Sequence, residues 1–216
     1  MFTTDDMLDT FRREVADPLE GVDASAPDSE NLWKNAEILG YMTEAADAVA
    51  RDTKSLYRTL VIPIDAGEAT APIPRAVLDI KLATLSDGRE VAPSNQHEQA
   101  PRFTGRGRPQ TFTRERERGV LTLAPAPLVA DTLTLECSVT LSTPLLCGMP
   151  LPFREWPDQR LMLHFMKYLA YAKHDADTLD LTRSEAFLQL YQAGVRDREV
   201  EVRRERRLPS PVAMEW

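Results

Sequence analysis

The spacing of apolar residues changes twice along this 216-residue chain, and those two changes constrain the fold more than any other feature. Between 32 and 49, Leu32, Ala36, Leu39, Met42, Ala46 and Val49 recur every three or four positions, the repeat that lines up one face of a helix. Ile38, Tyr41, Ala45 and Ala48 form a second strip beside it, so the helix is expected to pack against more than one neighbour. From residue 56 the pattern becomes strand-like, broken by turn residues. The expected strands are 56–64, 69–73 closed by Pro74, 77–85, 90–92, 119–123 and 132–141, with turns at Ala66-Gly67 and Ser86-Asp87-Gly88. Helical spacing returns after a proline-rich stretch at 143–157. Residues 161–170 are apolar nearly all round, which predicts a helix enclosed by others, from its own chain or from neighbouring subunits.

The two ends complete the pattern. A first helix is expected after Thr3 or Thr4, with Asp5 and Asp6 at the positive end of its dipole and Met7, Phe11 and Val15 along one stripe. Residues 17–31 read as a long loop. Thr182-Arg183-Ser184-Glu185 matches a capping box for a final helix whose inner face is Ala186, Leu190 and Ala193. Past Gly194 the residues turn strongly charged and offer little core. Pro209 and Pro211 then stop any helix, while Val212, Met214 and Trp216 alternate at strand spacing. The expected fold class is α+β: an antiparallel helical bundle with an inserted small antiparallel β domain and an extended C-terminal arm. Its parts are a discontinuous bundle from 1–55 and 152–195, the β insert 56–151, and a helix extension with docking tail at 196–216.

Composition narrows the function. With 43% hydrophobic and 28% charged residues the chain can bury a core. A formal charge of −8 argues against a surface that grips nucleic acid throughout. Residues 1–6 lack the features of a secretory leader and no apolar run is long enough to span a bilayer, so no membrane partner is expected. Cys137 and Cys147 have no metal or redox spacing and read as buried thiols.

Sites for chemistry find little support. His97, His164 and His174 form no HExxH. The run Asp175 to Asp180 lacks the Gly and closing Glu of a calcium loop, and there is no GxSxG elbow. Thr104-Gly105-Arg106-Gly107-Arg108 lacks the ending of a phosphate loop and reads as a mobile loop. No enzyme activity, cofactor or metal is expected. Arg102, Arg106, Arg108, Arg114, Arg116 and Arg118 make a basic tract diluted by Glu115 and Glu117. Arg106, Arg108, Arg114 and Arg116 are its candidate contacts to DNA or a neighbouring subunit; a solvated hairpin loop is the plainer reading.

Four stretches, taken in order, carry a resemblance. They are Leu32-Trp33-Lys34-Asn35-Ala36-Glu37-Ile38-Leu39-Gly40-Tyr41 running to Asp47-Ala48-Val49, then Ala66-Gly67-Glu68-Ala69-Thr70-Ala71-Pro72-Ile73-Pro74 leading into Val77-Leu78-Asp79-Ile80. The others are Leu121-Thr122-Leu123-Ala124-Pro125-Ala126-Pro127 and the stretch from Leu151-Pro152 to Tyr171-Ala172-Lys173-His174-Asp175-Ala176-Asp177-Thr178. With these the chain resembles the bacteriophage head-to-tail connector, or adaptor, family of short-tailed and related phages. The resemblance implies a structural protein of the virion neck, made in the host cytoplasm and assembled with itself as a ring of roughly twelve copies. Its implied partners are the portal protein on one face, a tail tube, nozzle or stopper protein on the other, and double-stranded DNA in transit through the lumen.

Two groups of residues are singled out for these contacts. Arg203, Arg204, Arg206, Arg207, Leu208, Val212, Met214 and Trp216 are the candidate portal-docking arm, because such a segment gains order by docking. Trp33, Leu39, Met42, Leu161, Phe165, Tyr168 and Leu169 are the candidate subunit interface or bundle core. A stopper or tail-terminator ring protein, and a DNA-binding packaging accessory protein, are the alternative readings.

Overall fold

The computed structural model describes residues 2–15, 32–94, 105–115, 119–173 and 179–207. The chain divides into two compact units, one formed by Met1–Leu56 with Leu141–Trp216 and the other by Tyr57–Thr140.

The first unit holds four helices: α1 (Thr4–Val15), α2 (Asn35–Thr53), α3 (Trp156–Tyr171) and α4 (Leu181–Arg207). Thr3 starts α1: its hydroxyl accepts the Asp6 N–H at 3.2 Å while the Asp6 carboxylate accepts the Thr3 N–H at 2.8 Å, which satisfies donors that a helix start leaves free. Met7, Phe11 and Val15 are all buried, as their four-residue repeat requires. Trp33 is enclosed just before α2. Its indole N–H donates to the Ala170 carbonyl at 3.2 Å, and its rings meet Phe11 and Tyr171 edge-on.

On α2 the buried line is Ile38, Met42, Ala45, Ala46, Val49 and Ala50, whereas Leu32 and Ala36 are exposed. The buried face therefore draws on both strips, taking Met42, Ala46 and Val49 from the first and Ile38 and Ala45 from the second. α3 lies against α1, α2 and α4 of its own chain, burying Leu161, Met162, Leu163, Met166 and Ala170. These three helices of the same chain cover much of the apolar surface of α3, leaving Phe165, Tyr168 and Leu169 half-buried.

The second unit contains nine strands among the described residues. β1 (Tyr57–Ile64), β9 (Asp131–Val139) and β3 (Val77–Leu85) form a sheet in the order β1-β9-β3, antiparallel throughout. β2 (Thr70–Pro72), β7 (Val120–Ala124), β6 (Thr111–Glu115) and β4 (Ala92–Pro93) form a second sheet in the order β2-β7-β6-β4, whose last pair is parallel. β5 (Arg106–Gly107) and β8 (Ala126–Pro127) make a third, parallel pair. Period-two alternation on β9 turns Leu133, Leu135 and Cys137 inward, where the leucines join Ile62, Ile64, Leu85, Phe112, Leu121 and Leu123 in one core. Gly88, at φ +80, closes the turn from β3, where its N–H donates to the Leu85 carbonyl at 2.9 Å.

This architecture corrects the expected fold class. Of the described residues, helix takes about 42% and strand about 28%, and the strands lie in three sheets with two parallel pairings. The β part is neither small nor purely antiparallel, and the chain is not an antiparallel helical bundle carrying such an insert. The physical reason is that parallel pairs join residues far apart in sequence, with no hairpin turn to announce them. Residues 196–207 continue α4 as helix, and 208–216 lie outside the described residues.

Smaller expectations change as well. Asp180, not Thr182, caps α4: its carboxylate accepts the Arg183 N–H at 3.0 Å and its carbonyl the Ser184 N–H at 2.9 Å. Ser184 instead donates its hydroxyl to the Tyr168 carbonyl of α3 at 3.0 Å. Arg106–Gly107 is strand, not a mobile loop. Cys137 is buried but Cys147 is exposed.

Candidate docking surfaces

The far half of α4 is built to be held and then exposed. Gly194 lets α4 approach α3 closely; a Cβ there would lie 2.6 Å from Cδ2 of Leu161. One turn on, the Arg198 guanidinium donates through Nε and Nη2 to both oxygens of Asp158, each at 3.1 Å, and both residues are buried. Glu155 and Glu201 close around the same guanidinium. Burial works against its charge, but the Asp158 hydrogen bond and charge, then those of Glu201 and Glu155, hold its pKa above the ordinary value. Val202 is buried one turn further. Charged as it reads in sequence, this stretch therefore does find a core, because one arginine is neutralised by a buried partner from α3.

Beyond this anchor Arg203 and Arg204 are exposed, with Glu199 3.7 Å from Arg203. Arg206 and Arg207 continue the helix. Leu208, Val212, Met214 and Trp216 lie outside the described residues.

The candidate interface or core residues divide. Trp33, Met42 and Leu161 are buried inside their own unit; Leu39, Phe165, Tyr168 and Leu169 are half-buried. Phe165 packs on Tyr191 at 4.8 Å and Tyr168 at 5.4 Å between ring centres. The Tyr191 hydroxyl donates to Asp52 at 2.7 Å, and burial first, then that bond, raises its pKa well above the usual range.

Within the basic tract, Arg108 and Arg114 are engaged by their own unit, while Arg102 and Arg118 lie outside the described residues. Arg114, on β6, donates to the carbonyls of Val77 and Leu78. Arg108 pairs with Asp87, which Arg89 also approaches at 3.8 Å. Arg106 is exposed on β5, its guanidinium packed on Gly67 at 3.1 Å from where a Cβ would stand. Arg116 lies outside the described residues.

One surface is not legible in the sequence pattern. Thr3 bridges Pro150, the Leu151 N–H donates to the Phe2 carbonyl at 3.1 Å, and the Thr4 hydroxyl donates to the Leu146 carbonyl at 2.9 Å. This seam gathers Phe2, Leu146, Met149 and Trp156, with Trp156 55% exposed and edge-on to Phe2. Its signal is the apolar content of the proline-rich stretch, but only long-range pairing brings residue 2 to it.

Among the described residues no group of three His, Cys, Asp or Glu is placed to hold a metal ion, and no described helix is long and apolar enough to cross a membrane. What the described surface offers is an anchored helix ending in arginines and an exposed apolar seam. The model of the SU10 adaptor protein family matches residues 2–215, and the chain belongs to that family. No curated protein matches it. The chain is accordingly a structural adaptor protein of a bacteriophage.

Proposed function

We propose that the protein is a head-to-tail adaptor ring subunit of the virion neck. Roughly twelve copies assemble around a channel, one face docks on the portal, the other receives a tail tube, nozzle or stopper protein, and double-stranded DNA passes through the lumen. The portal-docking element is the segment carrying Arg203, Arg204, Arg206, Arg207, Leu208, Val212, Met214 and Trp216. The observation that carries this reading is the anchoring of α4: Arg198 is fixed on Asp158 and Val202 is buried, so the arginines that follow are presented on an ordered helix. A basic turn followed by alternating apolar residues suits an acidic, grooved partner surface.

The net charge of −8 per chain makes any ring of copies strongly acidic, and an acidic wall repels DNA and keeps it sliding. Engagement of Arg108 and Arg114 within the β unit weighs against the DNA-binding accessory reading. Deleting residues 208–216 tests the proposal. The truncated subunit is expected to remain folded by circular dichroism and to lose co-sedimentation with portal rings. Unchanged co-sedimentation places the docking element elsewhere.

A further inference from the structure

Among the described residues, the β1-β9-β3 sheet has one edge closed and the other open. Along β3 the Arg114 guanidinium takes the Val77 and Leu78 carbonyls, the Val91 N–H donates to Ala83 at 2.8 Å, and Glu90 bridges Thr84. The pairing of β3 with β9 is also broken by two register shifts, the kind of irregularity that spoils an edge for a further strand.

β1 differs on each count. It pairs with β9 over eight residues with no shift, and no other described residue forms a backbone bond to its outer side. Pro63 interrupts only its end, so among the described residues nothing guards the edge along 57–62. Val61 is 65% exposed and Tyr57 41% exposed; with Thr59 between them they share one face of the strand.

Such an edge accepts an extended strand, and its own sequence favours a second copy of itself. In an antiparallel pair centred on Thr59, each Tyr57 stands opposite the other copy's Val61, Thr59 stands opposite its own equivalent, and each Arg58 opposes Leu60 rather than another Arg58. Aromatic with β-branched and Thr with Thr are pairings that stabilise antiparallel sheets. We propose that, before it meets other virion components, the free subunit pairs with a second copy through β1, forming one continuous sheet in the order β3-β9-β1-β1-β9-β3. A two-fold contact of this kind uses the same patch on both copies and closes on itself, so it holds subunits as pairs instead of growing a ring.

The full chain carrying Cys147→Ser provides the background for the test. Sedimentation velocity over a concentration series is expected to show a monomer–dimer equilibrium. Val61→Lys, at an exposed position, is expected to weaken the dimer by about tenfold or more, because it disturbs two symmetric cross-strand pairs. Thr59→Cys is a gain-of-signal variant: facing strands place the two Cα atoms about 4.5–5.5 Å apart, within disulfide range. It should cross-link under mild oxidation, while Glu136→Cys on β9 should not. A monomer at all concentrations, a dimer untouched by Val61→Lys or not trapped by Thr59→Cys, or a larger ring formed without portal would each overturn the proposal. Portal co-sedimentation of Val61→Lys, expected to match the parent, separates failure here from failure of the adaptor reading.

Discussion

Removing the Arg198 side chain tests the anchor on which the presentation of α4 depends. Asp158 is 3% exposed and receives two bonds from Arg198; Glu155 and Glu201 sit at the rim with side chains more than half exposed. The rim pairs therefore contribute within the surface range of about 0–1 kcal/mol. The Asp158 pair is different in kind, because truncating Arg198 strands a buried carboxylate, which costs about 3–5 kcal/mol. Asp158 lies in the first turn of α3, where the helix dipole offsets part of that cost, so Arg198→Ala is expected to lose about 3 kcal/mol. Against a total stability of about 5–15 kcal/mol the loss is readily measured. Urea unfolding followed by fluorescence, with Trp33 buried in the same unit, is the assay. The double variant Asp158→Asn with Arg198→Met is expected to recover more than half of the loss, since it removes both charges. A loss under about 1 kcal/mol for Arg198→Ala would refute the reasoning: the pair would then behave as a solvated one, and α4 would need another anchor.

Three further outcomes follow from other sites. His164 is held below its ordinary pKa of 6.5, chiefly by burial and then by Lys167 and Arg160, with Glu14 opposing; the unfolded chain therefore takes up the proton first. Stability is complete above about pH 6.5 and falls as pH drops through that value, and His164→Gln should flatten this part of a urea-midpoint series between about pH 7.5 and 5.5. Gly40 sits inside α2 with nothing within 4 Å of where a Cβ would stand, so Gly40→Ala should raise unfolding free energy by about 1 kcal/mol. Cys147 is exposed while Cys137 is buried with its pKa raised by that burial, so a thiol reagent should titrate one group in the native protein and the second only on unfolding.

Individual elements show how much could be read in advance. The 77–85 strand occurs with those bounds, because alternation and the Ser86-Asp87-Gly88 turn are local signals. The Met7, Phe11 and Val15 stripe is buried for the same reason. β5 and β8 carry no such signal: they are two residues each, of arginine, glycine, alanine and proline, and their pairing depends on partners about twenty residues apart, such as Ala126 for Arg106. The candidate site was legible only in its arginines. Nothing local to Arg198 shows that a carboxylate forty residues earlier will bury with it.

Periodicity and turn residues are properties of neighbouring positions, so the sequence by itself determined where helices and strands alternate. Which face of α2 turns inward, which arginines are consumed by carbonyls, and which sheet edge stays open were decided only in the tertiary structure. Each of those outcomes is a competition for partners distant in the chain. It is settled by burial and hydrogen-bond satisfaction across elements, and not by the preference of any one segment.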